Sequence, residues 1–194
     1  TETLAKFKLP KQYFLFVGTL EPRKNVENLM RAFKQLQEKT PAAKDVVLVL
    51  AGQYGYHSEQ IMQEMLDLGL KRSIRYLGYV SHNEKLELIK HATAFTFPTL
   101  YEGFGLPVLE ALALGVPVIT SNNSSLPEIT GKAAILVDPK NVNDIARAMR
   151  DILTKPATVQ RLQAAGPKQA LSFSWDTCAQ ETMKVYRKVV GKRA

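Results

Sequence analysis

The sequence predicts an α/β fold: a Rossmann-like, doubly wound parallel sheet with helices on both faces. Two patterns carry that expectation. Short apolar runs alternate along the chain with longer segments whose apolar side chains recur at helical spacing. The runs are apolar throughout rather than at every second residue, as in strands covered on both faces.

The elements follow in order. Tyr13 to Val17 (YFLFV) is the first buried strand and ends at Gly18. Val26, Leu29, Met30, Phe33 and Leu36 form a helical stripe that Pro41 closes. Val46 to Ala51 (VVLVLA) is a second strand, with Gly52 and Gly55 in the loop after it. Ile61, Met62, Met65 and Leu66 mark a helix stopped by Gly69. Ile74 to Leu77 is a third strand, and Leu86 and Ile89 mark a brief helix. Ala94 to Phe97 is a fourth strand. After its loop a helix opens at Pro107, a residue that suits the first helical position, and stops at Gly115. Val118 to Thr120 and Ala134 to Val137 complete the strands. Val142, Ile145, Met149 and Ile152 share one helical face. Ser174 is a plausible N-cap for a last helix whose apolar side is Ala179, Met183, Tyr186 and Val190.

Composition narrows the function. A chain of 194 residues, 45% hydrophobic and 23% charged, is one globular domain, not a disordered or fibrous segment. No stretch approaches the ~20 apolar residues of a membrane span, and residues 1–11 lack the apolar core of a signal peptide. The single cysteine, Cys178, excludes an internal disulfide and a thiolate zinc cluster, so the expected setting is the cytoplasm. The glycosylation-type triplets in Asn122-Asn123-Ser124-Ser125 then carry no meaning. Cys178 itself is expected to be a small packing residue. The net charge of +8 invites a nucleic-acid partner. Yet Lys184, Arg187, Lys188, Lys192 and Arg193 concentrate much of that excess in the C-terminal tail, and no basic stripe with aromatics appears elsewhere. No nucleic-acid partner is expected.

Ligands of doubly wound sheets bind beyond the C-terminal strand ends. In the loop after the fourth strand, Gly103 and Gly105 allow close backbone approach to a ligand. The helix start behind them offers unpaired amides to a phosphate. Glu102 and Glu110 flank this cradle, and an ionised glutamate accepts from vicinal hydroxyls with both oxygens. Turn glycines and an acid near a helix N-terminus are the bland account of the same residues. After the first strand, Gly18-Thr19-Leu20-Glu21-Pro22-Arg23-Lys24-Asn25 places two cations at the switch-point crevice. Arg offers a planar fork and Lys a compact charge, together enough to offset a diphosphate without a metal. No Asp-x-Asp or Asp/His cluster suggests a metal site, and no cofactor is expected.

Gly18-Thr19 with Arg23-Lys24-Asn25, the Glu102-x7-Glu110 spacing within EGFGLPVLEA, and Gly115-x-Pro117 strongly resemble the GT4 family of retaining glycosyltransferases. The resemblance runs from about Tyr13 to the final helix. From Tyr101 to Pro139 the chain looks like mannosyl- and rhamnosyltransferase-type members that build bacterial polysaccharides. The family has the GT-B fold, two Rossmann-like domains facing across a cleft, the C-terminal one holding the nucleotide-sugar donor. The resemblance therefore implies that residues 13–173 are the donor domain and 1–12 the remnant of an interdomain linker. The acceptor half would be absent, and residues 174–194 would be a crossing helix anchored by Trp175, with a basic tail.

Carried over by motif, Arg23 and Lys24 would hold the donor diphosphate, Glu102 the hydroxyls of the transferred sugar and Glu110 those of the ribose. Amides of Gly103, Phe104, Gly105 and Leu106 would meet phosphate or sugar oxygens, and Gly18 and Thr19 would line the crevice floor. The base would sit at Gly78 to His82, near Val80. Ser81-His82-Asn83 departs from the aspartate common there, which leaves the base open; GDP-mannose is favoured over UDP-sugars on resemblance alone. The family's usual mechanism is front-face attack assisted by the leaving phosphate, with no protein nucleophile. The acceptor would be a glycan or a lipid-linked glycan, with peripheral contact at the inner membrane face open through the basic tail. The alternatives are another GT-B enzyme, an epimerase of sugar nucleotides or a phosphorylase, or a non-catalytic nucleotide-binding module.

Overall fold

The computed structural model describes residues 2–191. A short helix, α1 (Glu2–Lys6), precedes six parallel strands: β1 (Tyr13–Val17), β2 (Val47–Ala51), β3 (Ile74–Gly78), β4 (Ala94–Phe97), β5 (Val118–Ser121) and β6 (Ile135–Val137). They form one sheet in the order β3-β2-β1-β4-β5-β6. Helices α2 (Val26–Lys39), α3 (Ser58–Asp67), α4 (His82–Lys90), α5 (Leu106–Ala113) and α6 (Leu126–Thr130) make the crossovers, and α7 (Val142–Thr154), α8 (Pro156–Ala170) and α9 (Trp175–Val190) follow. Each strand pair is parallel, as the alternation of strands and helices predicts.

The continuous apolar runs are buried on both faces: Phe14, Leu15 and Phe16 in β1, and Ala94, Phe95 and Phe97 in β4, have no exposed surface. The order of the strands reverses between β1 and β4, and there the loops part to open a crevice. The predicted strands are found to within one residue at either end.

Three helices were not expected from the sequence. The segment of α8 contains Gly166-Pro167, which reads as chain punctuation. In the fold Gly166 is buried where α8 crosses α5, and a Cβ built on it would lie 2.8 Å from the Leu112 carbonyl oxygen. The glycine is what lets the two backbones touch. Helix α6 is five residues long, too short for a periodic signal. Helix α1 lies in the stretch expected as a linker, but it packs beside α4, with Leu4, Phe7 and Leu9 partly buried against the core. Its Lys6 pairs with Glu84, which also completes a capping box on Ser81 at the start of α4. Hydrogen bonds from Lys6, then from the Ser81 amide and hydroxyl, lower the Glu84 carboxyl to about 2. Ser81-His82-Asn83 is thus a helix start with a structural task.

Helix α9 buries none of its residues, and Trp175 is 76% exposed, as expected of a helix made to pack on another domain; Cys178, expected to be a packing residue, is exposed. Lys192 and Arg193 of the basic tail lie outside the described residues. Among the described residues no helix is long and apolar enough to cross a membrane.

Gly166→Ala should force α8 from α5. Such overpacking costs about 1–3 kcal/mol, which for a chain this size lowers the melting temperature by roughly 2–12 °C. An unchanged thermal melt would contradict the close contact.

Candidate donor site

The site is built where the loops after β1 and β4 meet. After β1 the chain makes a single 3₁₀ turn, Pro22–Lys24, and Asn25 takes a left-handed conformation at φ 59° before α2. Asn25 is buried, and its side-chain amide donates to the carbonyls of Pro98 at 2.8 Å and Pro139 at 2.7 Å.

That bond is one of a series along the β4 loop. Ser121 Oγ donates to Thr99 O at 2.6 Å, Asn123 Nδ2 to Leu100 O at 2.9 Å, and Arg23 Nη1 to Tyr101 O at 2.9 Å. Ser125 Oγ lies 3.0 Å from Glu102 O and 2.7 Å from Phe104 O. Side chains therefore reach nearly every carbonyl from Pro98 to Phe104, the one Ser125 hydroxyl hydrogen serving either Glu102 O or Phe104 O. The Leu100 amide donates to Arg23 O and the Glu102 amide to Ser124 Oγ. Beyond them, among the described residues, the amides of Gly103, Phe104, Gly105 and Leu106 donate to no protein acceptor. Gly103 and Phe104 lie in the bend before α5, Gly105 is its N-cap and Leu106 its first residue, at the helix end where the dipole favours an anion.

The two glycines differ in what the protein itself requires of them. Gly105 caps α5 with φ 109°, and a Cβ on it would lie 2.7 Å from Leu126 Cδ2. Gly103 would meet nothing within 4 Å. Gly103 is exposed and faces open space.

Arg23, Lys24 and Glu102 come together as the sequence suggests, but the cations are not free. Lys24 Nζ lies 2.5 Å from Glu102 Oε1 and 5.0 Å from the centre of the Phe97 ring. Arg23 Nη1 lies 3.1 Å from the same oxygen, and Nη2 lies 2.7 Å from Glu21 Oε1. The two positive charges expected to offset a diphosphate are balanced by Glu21 and Glu102. Across the crevice, Glu110 is likewise engaged: Lys85 of α4 donates to its Oε1 at 2.5 Å, and Oε2 is buried without a partner. The expected two-oxygen fork toward vicinal hydroxyls is already half occupied.

The floor is backbone. The Gly18 amide donates to Ala51 O and the Gly52 amide to Gly78 O, so β1, β2 and β3 end in stacked glycines. A Cβ on Gly52 would fall 2.0 Å from Gly18 O. Thr19 is exposed at the mouth beside Gly55, and Val80 is half-buried one residue before the α4 cap. His57, His82 and His91 are all exposed. Next to the cradle, Phe104, Leu106, Leu109, Phe173 and Trp175 line an apolar cavity of about 430 Å³. Among the described residues no group of three or more His, Cys, Asp or Glu side chains comes together as a metal site.

The model of the family described as glycosyl transferases group 1 matches residues 4–169. The chain belongs to that family. The chain is 38% identical over 186 residues to O-antigen chain mannosyltransferase B of Escherichia coli, covering 95% of this chain and 48% of the relative. It is 35% identical over 175 residues to glycogen synthase of Mycobacterium tuberculosis, covering 89% of this chain and 41% of the relative. A sucrose-phosphate synthase of Thermosynechococcus elongatus superposes with a TM-score of 0.82 at 28% identity, over 98% of this chain and 49% of that one. The fold is thus the Rossmann-like one of GT-B glycosyltransferases, and the chain spans about half the length of these relatives or less.

Sequence reasoning reached Arg23, Lys24, Glu102 and Glu110 but gave no role to Asn25, Lys85, Ser121 or Asn123 to Ser125. Asn25, Ser121 and Asn123 to Ser125 are the fixings of the β4 loop, and Lys85 holds Glu110. Asn25→Ala loses two buried bonds and puts alanine in the left-handed region. The expected cost is roughly 2–4 kcal/mol, a fall of about 5–15 °C in melting temperature. Asn25→Gly, which lifts only the strain, should recover part of it; equal melting of both variants and the unaltered chain would show that the loop is held otherwise.

Proposed function

We propose that this chain is the donor-binding domain of a retaining glycosyltransferase that takes a nucleoside-diphosphate sugar without a metal ion. One observation carries it: four consecutive unpaired amides, Gly103 to Leu106, leading into α5 beside Arg23 and Lys24, in a loop most of whose carbonyls are engaged. Leaving a sugar puts negative charge on the diphosphate, and donors fixed in advance stabilise that charge as it develops. Arg23 and Lys24 have more N–H donors than Glu102 and Glu21 use, so they can hold phosphate as well. In this reading Glu102 turns to the transferred sugar's hydroxyls, Glu110 to the ribose, and the backbone near Val80 to the base. Front-face attack assisted by the leaving phosphate assigns no carboxylate the part of nucleophile.

The family leaves the sugar open. A mannosyl donor is favoured because O-antigen chain mannosyltransferase B is among the relatives, and GDP-mannose is the form proposed. The acceptor, a glycan or lipid-linked glycan, would be bound by a second domain, since relatives extend well beyond the length matched here.

Calorimetric titration with UDP, GDP, ADP and dTDP should find at least one that binds, with an affinity that excess EDTA leaves unchanged. Loss of binding on chelation would refute the metal-free site.

Glu110→Ala should weaken a free nucleoside diphosphate, and Glu102→Ala should chiefly weaken the matched nucleotide-sugar. Each lost charge-assisted hydrogen bond is worth roughly 1.5–3 kcal/mol, about tenfold or more in affinity. Identical losses on both ligands in both variants would overturn the division of roles.

A further inference from the structure

The crevice wall between α4 and α5 holds a pair that the roles above only half use. Lys85 Nζ donates to Glu110 Oε1 at 2.5 Å, while Oε2 is buried and has no hydrogen-bond partner among the described residues. The two side chains keep 20% and 27% of their surface exposed. The reachable part of the carboxylate is therefore Oε1, the oxygen that Lys85 already holds. Any ligand group that bonds to Glu110 from the crevice shares that oxygen with the ammonium.

This restricts what the ligand group can be. A carboxylate only accepts hydrogen bonds and an ammonium only donates them. Held together, they offer both functions at one point. A hydroxyl satisfies both, giving its hydrogen to Oε1 and accepting a second N–H from Lys85. A phosphate oxygen meets repulsion from Glu110, and a deoxygenated carbon covers the pair without making either of the two bonds a hydroxyl makes. A bare carboxylate would straddle two vicinal hydroxyls; this one, with one oxygen buried and the other shared, reads a single hydroxyl.

We infer that Lys85 is a specificity-determining residue of the nucleotide site, forming with Glu110 a donor–acceptor couple that recognises one ribose hydroxyl. The inference rests on the proposed nucleotide-binding role. Nothing in the helical pattern around Leu86 and Ile89 marks Lys85; only the approach of α4 to α5 brings it to Glu110.

The test compares GDP and UDP with their 2′-deoxy, 3′-deoxy and 2′,3′-dideoxy forms. Binding and melting temperature are measured for the unaltered chain, Lys85→Met and Lys85→Arg. On the unaltered chain, removing one of the two hydroxyls should weaken binding about tenfold and removing the other should change it little. Lys85→Met should bind the ribonucleotide about tenfold more weakly and the dideoxy form as before, and Lys85→Arg should recover part of the loss. Lys85→Met that binds ribonucleotides as tightly as the unaltered chain, or weakens ribo- and dideoxy forms alike, would overturn the inference. If Lys85→Met does not fold, equal losses at both hydroxyls on the unaltered chain overturn it by themselves. Failure of the unaltered chain to bind any nucleoside diphosphate would defeat the proposed function and this inference with it; normal binding that ignores Lys85 would defeat the inference alone.

Discussion

The site depends on how one irregular loop disposes of its backbone hydrogen bonds. Between Pro98 and Phe104 the chain is neither strand nor helix, so its carbonyls have no ladder to join. A loop in that state normally turns those groups to water and becomes mobile. Here Asn25, Ser121, Asn123, Arg23 and Ser125 take the carbonyls one after another. The donors come from the ends of β1 and β5, on either side of β4. With the carbonyls fixed inward, the amides of Gly103 to Leu106 are left as the unsatisfied groups. An anion site of this kind needs no dedicated cation; it follows from which half of each peptide the fold has used.

The charges obey a related logic. Lys24 and Glu102 are each only 11% exposed, so leaving either alone would be costly. Their pairing, with Arg23 sharing the same carboxylate oxygen, keeps the unliganded crevice near neutrality. In the proposed reading, a diphosphate entering the cradle would share these cations with Glu102 instead of meeting a bare positive surface, and Glu102 would stay beside the place where the sugar would lie.

Much of this was legible in the sequence because it rests on short-range patterns. Tyr13 to Val17 and Ala94 to Phe97 declare themselves as strands buried on both faces, and their alternation with helical stripes fixes a parallel sheet and its switch point. Charged residues and glycines in the loops at that point, Arg23, Lys24, Glu102, Gly103 and Gly105, are conspicuous for being there at all. What stayed hidden is long-range. Asn123, Ser124 and Ser125 read as meaningless triplets, yet two of them contact the β4 loop through their hydroxyls and the third through its amide. Gly166-Pro167 reads as a break, and only the neighbouring α5 shows why a helix tolerates it.

Among the described ion pairs, Lys24–Glu102 and Lys85–Glu110 are the two in which neither side chain is more than 27% exposed; every other pair has a partner at 36% or above. Stability is a poor explanation for them. Half-buried pairs lose in desolvation much of what they gain in attraction, and apolar residues of similar size do as well or better. Each joins elements far apart in the chain, and both flank the loop that carries the unpaired amides. A domain selected for stability alone would have little use for two carboxylates held by lysines beside these unpaired amides. A ligand with anionic phosphates between two sets of hydroxyls would use both, one carboxylate at each end and the amides in the middle.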